Sequence, residues 1–285
     1  MFGKLLKYDF RAVARVWWIV AVSALGISLA GATVFRFLFS SADGGEMTGI
    51  LAAFAVLSLL ACAFALAASV LVTMILVYLR FYKNFFTDEG YLTFTLPVSR
   101  RELLLSKTVN ALLWMALHTL LLTVCTMLFL LIAPPPEETY ELLNFTVLDA
   151  FGQVFSEIWS MCGAWTLLYA VECVLIAVCA AFYSVSLVHF CITVGSVIAK
   201  KQKLLAAIGI YYGVNMVASF LSQMLPYVFV FLMEGFGEIF GVTEGAKYFG
   251  AIGLLLMIAC LLVATVGSVF YFTTRGMLER KLNLP

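Results

Sequence analysis

Six times along its 285 residues the chain runs for 20 or more residues without a charged side chain. These intervals are Arg15 to Arg36 with 20 residues, Glu46 to Arg80 with 33, Lys107 to Glu137 with 29, Glu172 to Lys200 with 27, Lys203 to Glu234 with 30 and Lys247 to Arg275 with 27. A bilayer core about 30 Å thick is crossed by about 20 apolar residues in a helix. Every interval is therefore long enough to cross. All far exceed the roughly ten-residue alternating strands of a membrane barrel, and Ala, Leu, Val, Phe and Ile fill them without alternation. The expected fold class is all-α: one polytopic membrane domain over 1–285, with six transmembrane helices near residues 16–38, 50–79, 108–133, 161–198, 204–231 and 248–273. Composition agrees, because 64% hydrophobic and 12% charged residues, with a mean hydropathy of +1.07, leave too little polar surface to clothe a water-soluble globule.

The net charge of +1 conceals an asymmetry. Assigning the N-terminus, the second-to-third loop, the fourth-to-fifth loop and the C-terminus to one side collects 15 of the 17 Lys and Arg residues, with only Arg36 and Lys247 opposite. The positive-inside rule then predicts both termini in the cytoplasm. Four early cations, Lys4, Lys7, Arg11 and Arg15, lead into the first span, which reads as a retained anchor rather than a cleaved signal peptide. With Phe2, Leu5, Leu6, Phe10 and Val13 near the other face, they predict an N-terminal amphipathic interface helix that turns into the first span. The seven cysteines lie in or beside apolar spans, with no CxxC pair, and read as small buried hydrophobes.

Three segments outside the spans carry local signals. In the second-to-third loop, Asp88, Glu89 and Gly90 predict a turn, and Pro97 stops any helix from running straight through. Ser99 and Glu102 have the spacing of a capping box, opening a helix that runs into the third span. In the outer loop, Tyr140, Leu143, Val147, Phe151, Val154 and Ile158 recur every three or four residues after Pro134-Pro135-Pro136, predicting an amphipathic surface helix. Asn144-Phe145-Thr146 fits the glycosylation pattern without further support. After Pro226, Gly235, Gly237, Gly241 and Gly245 predict broken, re-entrant helices.

Catalytic signals are sparse. No GxxxxGK[ST], HExxH or GxSxG occurs, and the chain is expected not to be an enzyme. The possible intramembrane polar residues are His118, His189 and Glu172, since ionisable groups inside spans are costly and mark function. Glu172 lies about 42 Å along a straight helix from Lys200, beyond a single core thickness, so it is expected near the outer interface, snorkelling or hydrogen-bonded. His118 and His189 are each 11 residues from an inner lysine and are expected as neutral imidazoles that bond a neighbouring helix or line a wet cavity. No third ligand stands at their level, so no metal is expected.

Gly90, Tyr91, Leu92 and Thr93, followed by Leu96, Pro97, Val98, Ser99, Arg100 and Lys107, resemble the cytoplasmic segment before the third helix in bacterial permeases of the type-2 ABC transporter superfamily. The resemblance extends to the rest of the chain only as architecture. It implies a bacterial plasma-membrane permease subunit that docks a separate ABC ATP-binding subunit and pairs with a second copy of itself or a related permease. ATP and Mg would sit on the partner, with no cofactor in this chain, and export is the usual direction. Phe85, Phe86, Asp88, Glu89, Tyr91, Arg100 and Arg101 would form the docking loop, a use that suits aromatic and Arg side chains as interface anchors. Apolar spans suit a drug, peptide or lipid as cargo. Two alternatives stand beside this: a non-transporting sensor, immunity or structural subunit that binds a partner protein, and an intramembrane enzyme.

Overall fold

The computed structural model describes residues 2–40, 49–95, 97–133, 147–199, 201–240 and 244–280. Its elements are α1 (Phe2–Ser40), α2 (Gly49–Phe86), α3 (Asp88–Phe94), α4 (Arg100–Ile132), α5 (Val147–Cys162), α6 (Trp165–Ile198), α7 (Lys203–Ser222), α8 (Leu225–Phe240) and α9 (Glu244–Arg280). All are α-helices. Six stretches are long and apolar enough to cross a membrane: Phe2–Leu38, Gly49–Phe86, Arg100–Ile132, Trp165–Ile198, Lys203–Leu232 and Phe249–Glu279. The chain is thus a helical protein with the architecture of a multi-pass membrane protein.

Three local expectations change. α1 is one helix of 39 residues, about 58 Å long at 1.5 Å per residue, so no turn separates the basic lead from the first span. Nothing between Lys4 and Trp18 is a Pro or a glycine pair, and good helix formers carry the ladder through. The turn expected at Asp88–Gly90 is instead the start of α3, and the break falls on Thr87, whose backbone is extended at φ −120° and ψ −174°. Asp88 and Glu89 suit a helix start because their charge meets the positive end of the helix dipole. In the segment after Pro226 the helix runs on through Gly235 and Gly237 and ends at Phe240, the next described helix starting at Glu244; a further interruption lies earlier, at Gln223–Met224. Pro226 then falls in the first turn of α8, where its missing N–H has no helical acceptor to lose. Gly241 lies outside the described residues, and Gly245 belongs to α9.

The outer amphipathic helix is present as α5 from Val147; residues 134–146, including the proline run and Asn144, lie outside the described residues.

Two compact units form, the first mainly Gly3–Leu79 with Val109–Ser156, the second mainly Arg80–Thr108 with Glu157–Pro285. In the first, α1, α2 and α4 are joined by side chains that satisfy backbone groups across helices. Ser28 donates to Cys125 O at 2.7 Å, and Cys62 Sγ donates to Ile27 O at 3.3 Å. A Cβ on Gly31 would meet Cys62 Sγ, so only glycine permits this approach of α1 and α2. Phe10 stacks on Trp114 at 4.5 Å between ring centroids, and Trp17 packs on the same indole at 5.1 Å.

In the second unit α6 is the central helix, packed against α9 and α7, and α8 packs on α9. Two glycines set the spacing. A Cβ on Gly195 of α6 would lie 2.6 Å from Ala207 N and 2.9 Å from Lys203 O, so α7 leaves α6 in a tight hairpin. A Cβ on Gly267 of α9 would lie 3.1 Å from Tyr183 Cα. Aromatic rings fill the space around these close approaches, with Phe190 stacked on Phe270 at 4.9 Å.

Candidate functional site

The segment joining α2 to α4 is the most elaborated part of the second unit. Both helices run past the last charge-free residue of their spans, α2 to Phe86 and α4 from Arg100. These extensions bury an aromatic cluster in which Phe85 meets Phe81 at 5.0 Å, Phe94 at 5.7 Å and Phe86 at 6.3 Å. Phe85 is fully buried and Phe86 nearly so. Both docking candidates therefore form the support of α3 rather than its outer surface. Gly90 is needed in this arrangement, because a Cβ there would lie 3.0 Å from Phe85 O. The outward side of the segment carries Asp88, Glu89, Leu92, Pro97 and Arg101, with Leu92 74% exposed. Tyr91 belongs to α3, and its side chain lies outside the described residues.

Polar groups fasten this platform. With its amide oriented to suit its neighbours, Asn84 donates from Nδ2 to Glu89 Oε2 at 3.0 Å and accepts from Lys107 Nζ, linking α2, α3 and α4. Lys107 is 5% exposed, an expensive position for an ammonium unless its donors are used. At the end of α2, Lys203 Nζ donates to Phe86 O at 3.5 Å, bringing a cation to the negative pole of that helix. Ser99 and Glu102 form the reciprocal cap of α4: Ser99 N donates to Glu102 Oε2 and Glu102 N donates to Ser99 Oγ, each at 3.3 Å. Arg100 turns inward along the unit. Its Nη1 donates to Leu278 O at 2.7 Å and Glu279 O at 2.9 Å, the last turn of α9, while the guanidinium lies 5.4 Å from the centre of the Phe94 ring. Arg100 thus ties α9 to the platform while it stays exposed, as Arg101 does.

Each histidine has its own partners. In the first unit the Ser69 hydroxyl donates to Leu66 O at 2.6 Å, so its lone pair faces His118 Nε2 at 3.4 Å; the Thr73 hydroxyl faces Nδ1 at 3.1 Å. This pattern assigns the proton to Nε2. His118 also borders a cavity of about 120 Å³ with Thr73, Tyr78, Met115 and Thr119, and the Thr119 hydroxyl is itself spent on Met115 O at 2.9 Å. In the second unit His189 stacks on Phe81 at 3.9 Å with 16° between planes, and its Nδ1 lies 3.5 Å from Thr108 Oγ1. The Thr108 hydroxyl donates to Leu104 O at 3.0 Å, so it accepts from Nδ1–H.

Glu172 differs from the snorkelling or hydrogen-bonded carboxylate expected of it. It is 5% exposed, faces α9 at Gly253, and neither carboxylate oxygen has a hydrogen-bond partner. The adjacent Tyr169 hydroxyl donates instead to Phe249 O at 2.7 Å. Among the described residues no group of three or more His, Cys, Asp or Glu side chains is disposed to hold a metal ion.

The burial of Phe85, Phe86 and Lys107 and the inward turn of Arg100 were hidden in the sequence. Lys107 had marked the end of a span and closed the segment that carries the resemblance, but no spacing rule joins it to Asn84 or joins Arg100 to residues 178 and 179 positions away. No protein-family model matches the chain, and neither a curated protein nor a solved structure matches it.

Proposed function

We propose that this chain is the membrane-spanning permease subunit of an ATP-driven ABC transporter of bacterial plasma membranes, with both termini cytoplasmic. It works with a separate ATP-binding subunit that holds ATP and Mg, and with a second copy of itself or a related permease. The cargo is hydrophobic or amphipathic, a drug, peptide or lipid, and moves outward. One observation carries the reading: a seven-residue helix, α3, is mounted on the joined ends of two membrane-length helices by a buried aromatic and polar core, while Asp88 and Leu92 stand exposed on it.

A short helix held so firmly is suited to pass a push from a partner into α2 and α4. An isolated surface loop would absorb the same push in its own backbone. The exposed set of Asp88, Leu92 and Arg101 replaces Phe85 and Phe86 as the contact surface, and Arg100 and Glu89 serve as fastenings.

This reading expects a gene for the ATP-binding subunit beside that of this chain, and the test expresses the full chain together with that subunit. The triple variant Asp88→Arg/Leu92→Asp/Arg101→Glu is expected to lose copurification and ATPase stimulation at least tenfold while unfolding at the wild-type temperature, since exposed sites carry little stability. Undiminished copurification of that variant would overturn the docking surface. A purified pair that hydrolyses ATP yet moves no lipid, peptide or dye across proteoliposomes would favour a partner-binding subunit that transports nothing.

A further inference from the structure

Two thiols meet inside the second unit. Cys179 of α6 and Cys260 of α9 have their Sγ atoms 3.6 Å apart in a thiol–thiol hydrogen bond. The approach is built by the helices rather than by chance rotamers. Gly253 and Gly267 stand seven residues to either side of Cys260, which puts all three on one face of α9. A Cβ on Gly253 would lie 3.6 Å from Glu172 Oε1, and one on Gly267 would lie 3.1 Å from Tyr183 Cα. α9 is therefore held against α6 both before and after Cys179, and the two sulfurs face each other across a fixed interface.

Depth and access decide which chemistry this pair can take. Cys179 lies 14 residues after Trp165 and 19 before Ile198, about 21 Å and 28 Å from the ends of α6 at the helical rise. Water-soluble thiols and peroxides are excluded from such a depth. Lipid-soluble reagents are not, because both cysteines are only part-buried and the neighbouring Val174 and Val178 of α6 are exposed.

We propose that Cys179 and Cys260 form an intramembrane disulfide whose oxidant is a lipid-soluble quinone. Two S–H bonds break and one S–S bond forms, and the two electrons and two protons pass to the quinone, leaving a hydroquinone. Closing the bridge shortens the separation of the sulfurs from 3.6 Å to the ordinary bond of about 2.05 Å. The bridge ties α6 to α9 covalently.

The full chain is reconstituted in phosphatidylcholine vesicles and exposed to duroquinone, whose filled ring positions prevent thiol addition. It is then denatured, alkylated with N-ethylmaleimide and digested for mass spectrometry. The expected product joins the Cys179 and Cys260 peptides at a mass two hydrogens below their sum, with loss of both maleimide adducts and their return after dithiothreitol. Cys179→Ser and Cys260→Ser each abolish it, while Cys173 and Cys191 stay alkylated. Full alkylation of Cys179 and Cys260 after duroquinone overturns the proposal, as do bridges formed equally by other cysteine pairs. A bridge made by copper phenanthroline but never by duroquinone overturns the quinone as oxidant.

Discussion

Glu172 is a costly residue where it stands. A carboxylate shielded from water with neither oxygen bonded carries a desolvation penalty of about 1–3 kcal/mol or more that no group among the described residues offsets. Methionine has nearly the same length and no such penalty. Glu172→Met is therefore expected to stabilise the protein by about 1–3 kcal/mol, read as a higher unfolding temperature in detergent. A lower temperature would mean that the carboxylate is satisfied by something outside this chain, such as a cation or an ordered water. The histidines show the opposite economy, since His118 has a hydroxyl for each ring nitrogen. Their depth in the spans could be read from spacing, but the partners could not. Thr73 and Ser69 precede His118 by 45 and 49 residues and are ordinary span residues until α2 and α4 pack.

At the scale of elements, glycines of identical appearance in sequence do different work. Gly195 faces backbone atoms of Ala207 and Lys203 that cannot move aside, whereas Gly209 has nothing within 4 Å. Gly195→Ala should cost about 1–3 kcal/mol by forcing α6 and α7 apart. Gly209→Ala should be neutral or stabilise by up to about 1 kcal/mol through helix propensity alone. Thermal unfolding of the two variants side by side measures the contrast, and equal effects would show that α6 and α7 are not packed as a tight hairpin. The same distinction explains the outer segment after Pro226. Glycine density predicts a broken helix there, and α8 does end at Phe240; Gly235 faces open space and the helix runs on through it, while a further break falls at Gln223–Met224, where no glycine stands.

For the whole molecule, orientation is the property most open to test. With 15 of 17 Lys and Arg residues on one side, a fluorescent protein fused after Pro285 should fold and fluoresce, and alkaline phosphatase fused there should be inactive. Active phosphatase at that position would invert the topology and remove α3 from the side where ATP is available. The six spans and the helical class were legible because lipid imposes a one-dimensional rule: a segment either carries enough consecutive apolar residues to cross or it does not. The cap of α4 was legible for a similar reason, since Ser99 and Glu102 satisfy each other within one turn. Burial was not. Phe85 and Phe86 have the composition of interface anchors, but both are core, Phe85 packed on Phe81 and Phe94 and Phe86 on Phe81 and Tyr82. Arg100 reads as a free cation until the last turn of α9 offers it two carbonyls, and Cys179 reads as a small hydrophobe until Cys260 arrives opposite it. By itself the sequence determined how often the chain crosses a membrane and which side its charges favour, because those depend on runs and sums along the chain. The partners of each polar group, and hence the platform, the lone carboxylate and the thiol pair, were decided by tertiary structure, because helix packing joins residues whose separation in sequence carries no signal.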